Sequence, residues 1–218
     1  MNDGFLVPGK PDGMGCFPGD GSQVILVRNH EVKPRHADLG PTGIGHRLRD
    51  QLPADKVYDT YLDGHPLGGG TTTLVYDLAE QRVVAQHLSL TGTLTNCAGG
   101  VTPWRSWLTC EETEIRAGEG VHRDHGWIFE VPAEAEGLVD PVPLTAMGRF
   151  SHEAACVDPE TGYVYLTEDE DDSLIYRFVP TTPGRLAEGG QLQALVIDAA
   201  PGADTRNWNG AVLWRMGD

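Results

Sequence analysis

No apolar run in this chain approaches the ~20 residues that cross a bilayer. The opening Met1-Asn2-Asp3-Gly4 has neither the basic start nor the apolar stretch of a secretory leader. No membrane span and no targeting signal are therefore expected within these residues. Positive charge is scarce: 16 Lys and Arg face 32 Asp and Glu, a formal charge of −16. Such a surface repels nucleic-acid backbones and anionic membranes, so neither is expected as a partner. The four cysteines, Cys16, Cys97, Cys110 and Cys156, form no CxxC pair and are too few for a disulfide-built scaffold. Long helical periodicity is missing, as are the GxSxG, Walker A and GxGxxG patterns, which removes support for a serine hydrolase, a P-loop NTPase and a dinucleotide enzyme.

What the chain has is turns. It carries 28 glycines and 15 prolines in 218 residues, enough length to bury a sizeable core. Short β-branched and apolar runs stand between these turns, and the fold class they predict is all-β. Pro18-Gly19-Asp20-Gly21 precedes Val24 to Val27, and Asp158-Pro159-Glu160-Thr161-Gly162 precedes Tyr163 to Thr167, both with hairpin composition.

One unit is written three times: Asp12 to Glu31, Asn96 to Glu112 and His152 to Glu170. Each passes through a turn, rises through an apolar run and ends in a burst of ligand-type residues: Asn29-His30-Glu31, Cys110-Glu111-Glu112 and Glu168-Asp169-Glu170. Third strands are predicted at Thr71 to Asp77, Gly126 to Pro132 and Ser173 to Pro180. Fourth strands are predicted at Arg82 to Leu90, Leu144 to Phe150 and Gln191 to Ile197. Four strands per repeat make a propeller blade. Residues 1–218 are thus expected to be a single, incomplete β-propeller domain of about three to four blades, with an irregular excursion over 32–66. Asn207 to Trp214 reads as the start of another element, and an open propeller edge invites self-association. The alternative is three unrelated hairpins that share turn chemistry.

Overlaying the units puts Asn29, Cys110 and Glu168 at equivalent positions, each sharing a strand face with the residue two further on. Carboxylates gathered at such strand ends need cations. Oxygen ligands suit Ca²⁺ or Mg²⁺ and a thiolate suits iron or zinc, so a mixed-metal site is predicted. Cys16 and Cys156, in the first strand of their units, read as buried small hydrophobes. The acidic run Glu168 to Asp172 lacks the Gly and Glu of an EF-hand loop, and His152-Glu153-Ala154-Ala155-Cys156 lacks the second His of a zincin.

Seven collinear segments carry a resemblance: Asp12 to Gly15, Leu26 to Glu31, Gly69 to Thr72, Asn96 to Gly100, Thr102 to Trp104, Leu108 to Glu112 and Gly148 to Glu153. Through them the sequence resembles the PhoX-type alkaline phosphatases. The resemblance implies a six-bladed propeller, exported by the twin-arginine route to the periplasm or beyond, that hydrolyses small phosphate monoesters with a calcium and iron cluster. Carried over by motif, it implies Cys110 as an iron ligand and Glu153 as a calcium ligand. Glu31, Glu111 and Glu112 follow as further metal-site acids, and Asn96 as a phosphate or metal contact. The family's later Arg-Pro-Glu motif does not occur, so the chain is expected to span about the first half of a family member and to lack part of its active site. Two other readings stay open: a calcium-dependent propeller hydrolase of the lactonase or phosphotriesterase type, and a non-catalytic propeller binding module.

Overall fold

The computed structural model describes residues 1–198 and 200–202. Asn207 to Trp214 lies outside them. The fold is all-β, built as three antiparallel sheets. The first holds β1 (Pro11–Pro18), β2 (Gln23–His30), β3 (Gly69–Asp77) and β4 (Arg82–Thr93), side by side in chain order. The second holds β5 (Asn96–Val101), β6 (Ser106–Glu111) and β7 (Ile128–Pro132), and the third β8 (His152–Val157), β9 (Val164–Glu168), β10 (Ile175–Pro180) and β11 (Gly190–Ala194). Tight turns make this order: Gly19 N–H donates to Gln23 O and Gln23 N–H to Asp20 O, closing β1 onto β2.

Among the described residues the second sheet has no fourth strand. Leu144 to Phe150 instead forms a 3-10 turn over Thr145–Met147, ended by Gly148 at a φ of 89°. Leu144, Met147 and Phe150 are all buried in the core. They recur every third residue, which is the period of a 3-10 turn, whereas a strand needs every second. The apolar content of this segment is that of a strand, and its period is that of a 3-10 turn.

β5 packs between β1 and β8, so the first strands of the three sheets are neighbours. Glycine permits this approach. A β-carbon on Gly13 would sit 2.8 Å from the Cys97 carbonyl oxygen, and one on Gly100 would run into the carbonyl of Ala155. Core fills the wedges between sheets: Phe17, Val27, Trp107 and Phe129 in one, and Leu108, Ile128, Leu166 and Phe178 in the other. Each such side chain contributes about 1.5–3 kcal/mol by leaving water.

Residues 32–66 carry short 3-10 turns at Pro34–Leu39, Ile44–His46, Arg49–Gln51 and Ala54–Lys56. The segment returns to the end of β4, where Tyr58 N–H donates to Thr91 O and Asp59 N–H to Gly92 O. Among the described residues no helix is long and apolar enough to cross a membrane.

Candidate metal centre

In each sheet the first residue of the first strand pairs with the last residue of the second: Pro11 with His30, Asn96 with Glu111, and His152 with Glu168. In each, the pairing then slips before it resumes, at Pro11/Met14, Asn96/Gly99 and His152/Ala155. Irregular pairing of this kind re-aims a side chain. The residue at the slip is Asp12, Cys97 and Glu153 in turn, and the residue just past the second strand is Glu31, Glu112 and Asp169.

These positions converge. The Cys97 sulfur and one carboxylate oxygen each from Glu112 and Glu153 all lie within 4.8 Å of one another. The Cys97 thiol is 3.5 Å from Glu153 Oε2 and 3.3 Å from the His152 carbonyl oxygen. Cys97 is buried, while Glu112 and Glu153 are half-buried. Its backbone is held by Asn29, whose carboxamide nitrogen donates to Cys97 O at 3.1 Å and to Ala98 O at 2.8 Å. The indole of Trp107 donates to the carboxamide oxygen of Asn29 at 2.8 Å, so all of this buried side chain is used.

Crowding shows in the acid strengths. The Glu112 carboxyl is pushed up to about 7, first by burial, then by a hydrogen bond with Asp169 and the charges of Glu31 and Glu153, against the pull of Lys33. The Glu153 carboxyl is raised by burial and by Asp169, Asp12 and Glu31, with the Cys97 hydrogen bond opposing. Burial raises the Cys97 thiol as well. The site favours protons where no cation is bound, and a cation would replace them.

The model of the family described as alkaline phosphatase PhoX matches residues 2–216. The chain belongs to the PhoX alkaline phosphatase family. No curated protein matches it. Membership of the PhoX family implies dependence on metal, and the donor set fits: one sulfur for a soft ion, carboxylates for a hard one.

Within this PhoX-family fold Glu112 and Glu153 meet at the cluster, and Cys110, Glu111, Asn96 and Glu31 each have surroundings of their own. Cys110 is fully buried in the core with Leu108 and Ile128, its carbonyl oxygen 3.8 Å from the Cys97 sulfur, and of these two cysteines Cys97 has its sulfur beside Glu112 and Glu153. Glu111 points the other way along its strand and is fully buried. Its carboxylate accepts from Leu94 N–H, Gly126 N–H and Trp127 N–H, and from His125 Nδ1 at 2.7 Å. His125 also meets Asp59 at 3.3 Å through Nε2, a link that ties the 32–66 segment to the end of β6. Asn96 is a buried clamp, accepting from Thr93 Oγ1 and donating to Thr109 Oγ1. Glu31 stands at the rim in an ion pair with Lys33.

Cys16 and Cys156 are exposed rather than buried. Glu168 accepts from the Tyr176 hydroxyl, and by its pairing with His152 it equates with Glu111, one place away from the overlay that the sequence suggests. In the third unit the charge that acts on Glu153 is that of Asp169, the middle acid of the burst Glu168-Asp169-Glu170. The signal for it was the acid following β9, hidden by the neighbouring acids of the run from Glu168 to Asp172.

Proposed function

We propose that this chain hydrolyses phosphate monoesters at a metal centre whose ligands include Cys97, Glu112 and Glu153, with Glu31, Asp169 and Asp12 around them. The observation that carries this reading is the meeting of one thiol and two carboxylates within 4.8 Å, delivered by matching ends of the second and third sheets. Calcium on the carboxylates and iron on the sulfur match the hardness of each donor. The three sheets are then successive blades of a β-propeller, whose first strands line its axis. The contacts of β5 with both β1 and β8 support that arrangement.

Bound cations supply charge to draw a phosphate dianion to an acidic protein and to stabilise the phosphoryl oxygens as they gain charge. The chain's own groups prepare for this. The Cys97 thiol has the His152 carbonyl oxygen at 3.3 Å and Glu153 Oε2 at 3.5 Å as acceptors, and it gives up its proton when the sulfur becomes a ligand. Asn29 holds the Cys97 backbone so that the thiol stays at the cluster. Glu112, sharing a proton with Asp169, becomes fully ionised as that proton leaves, which couples ligand readiness to pH.

The test is release of p-nitrophenol from p-nitrophenyl phosphate by the chain loaded with calcium and iron, before and after chelation. Hydrolysis that chelation abolishes and metal restores is the expected result. A metal-loaded chain that opens lactones or phosphotriesters while leaving the monoester intact would overturn the reading. So would one that binds no metal.

A further inference from the structure

The ammonium nitrogen of Lys33 lies 2.8 Å from a carboxylate oxygen of Glu31, and the Lys33 side chain is 36% exposed. Its backbone is tied to the metal centre. Val32, fully buried, accepts from Thr95 N–H at 3.3 Å, and Thr95 O accepts from Glu112 N–H at 3.0 Å. Thr95 makes both contacts at a φ of 51°, a left-handed backbone that a β-branched residue seldom adopts. Such strain persists where surrounding structure holds it and clusters at functional sites. Lys33 therefore starts from a rigid point one residue beyond Val32 and beside Glu112.

Charge around it is mostly negative, with Arg35 the one cation that acts on it: Asp12, Glu31, Glu112, Glu153 and Asp169 act on one another here, and Lys33 is the cation acting on Glu112. Arg35 is the next cation along the chain and is exposed. A partly exposed Lys–Glu pair is weak and easily parted. A lysine that gives up its carboxylate partner to a metal ion keeps a compact charge on a flexible four-carbon stem, a form suited to phosphate.

We propose that Lys33 is a substrate-binding residue, whose ammonium leaves Glu31 when a cation takes that carboxylate and then contacts the phosphoryl oxygens of the monoester. This rests on the phosphomonoesterase reading above. No covalent step is assigned to Lys33.

The experiment compares the metal-loaded full chain with Lys33→Met and Lys33→Arg. KM and kcat for p-nitrophenyl phosphate, bound metal, and direct binding of inorganic phosphate by equilibrium dialysis are all read. Loss of one charge-assisted contact weakens phosphate binding and raises KM by about tenfold or more in Lys33→Met. Metal content should stay at the wild-type level, and Lys33→Arg should recover most of the affinity. Unchanged phosphate affinity in Lys33→Met overturns the proposal, as does a loss of metal that accounts for the whole effect. A wild-type chain that turns over no monoester defeats the phosphomonoesterase reading alone, because dialysis still decides whether Lys33 holds phosphate.

Discussion

Asn29 and Trp107, separated by 78 positions in the chain, share a buried 2.8 Å hydrogen bond from indole nitrogen to carboxamide oxygen. That bond sets the rotamer from which Asn29 grips the Cys97 backbone. The first sheet thereby decides where the second sheet presents its thiol.

Asn29→Ala leaves the Trp107 N–H without its partner in the core. A destabilisation of about 1–3 kcal/mol is expected in urea unfolding. Metal affinity should fall about tenfold, as when a group supporting a ligand is lost. Wild-type affinity in a folded Asn29→Ala protein would show that Cys97 needs no such support.

The two buried cysteines should part company. Cys97→Ser is expected to lose thiol-dependent metal and to cut activity by about 100-fold, the upper range for disturbing a metal site. Cys110→Ala removes core volume and should cost about 1–2 kcal/mol of stability while metal content holds. Elemental analysis of both variants checks this, and iron lost from Cys110→Ala but kept by Cys97→Ser would reverse the assignment.

Rising pH should destabilise the metal-free protein. The Glu112 carboxyl titrates at about 7 in the fold, against 4.5 ordinarily, so across that window the folded form keeps a proton that the unfolded form has lost. His125 works in the same direction. Burial disfavours its charged form, but Glu111 and Asp59 outweigh that and raise it above 6.5, so its contribution is complete below 6.5 and fades as pH climbs through the folded value. Melting temperature after chelation should fall between about pH 5 and pH 8. Calcium should restore more at the upper end, where its ligands are ionised. The fall should be shallower in Glu112→Gln, and a flat or rising profile in the wild type contradicts the account.

His125→Leu strips the imidazole from between two buried carboxylates, Glu111 and Asp59. Breaking such a network costs about 3–5 kcal/mol. Thermal unfolding measures it, and a variant within about 0.5 kcal/mol of wild type, the range of an ordinary surface change, would mean the backbone donors alone satisfy Glu111.

The strands were legible because hairpin turns and alternation are local. Thr71 to Asp77 lies inside β3, and Gly126 to Pro132 and Ser173 to Pro180 contain β7 and β10. The motifs marked Glu112 and Glu153, but the thiol beside them is Cys97, 13 positions before Cys110 and on the neighbouring strand. On a strand one place of slip turns a side chain to the opposite face, so the overlay through Cys110 and Glu168 pointed at core and clamp positions. Nothing in the composition of Asn96-Cys97-Ala98 announces that pairing slips there.

Sequence alone settled the all-β class, the acidic charge that calls for cations, and the family to which the motifs belong. Those are properties of turn chemistry, period and residue type, which need no distant partner. Which thiol and which acids meet was decided by tertiary structure: by glycines that let β1, β5 and β8 approach, and by pairing slips that turn Asp12, Cys97 and Glu153 the same way. The physical reason is that a ligand cluster depends on directions summed over three sheets, and each direction reverses with every step along a strand.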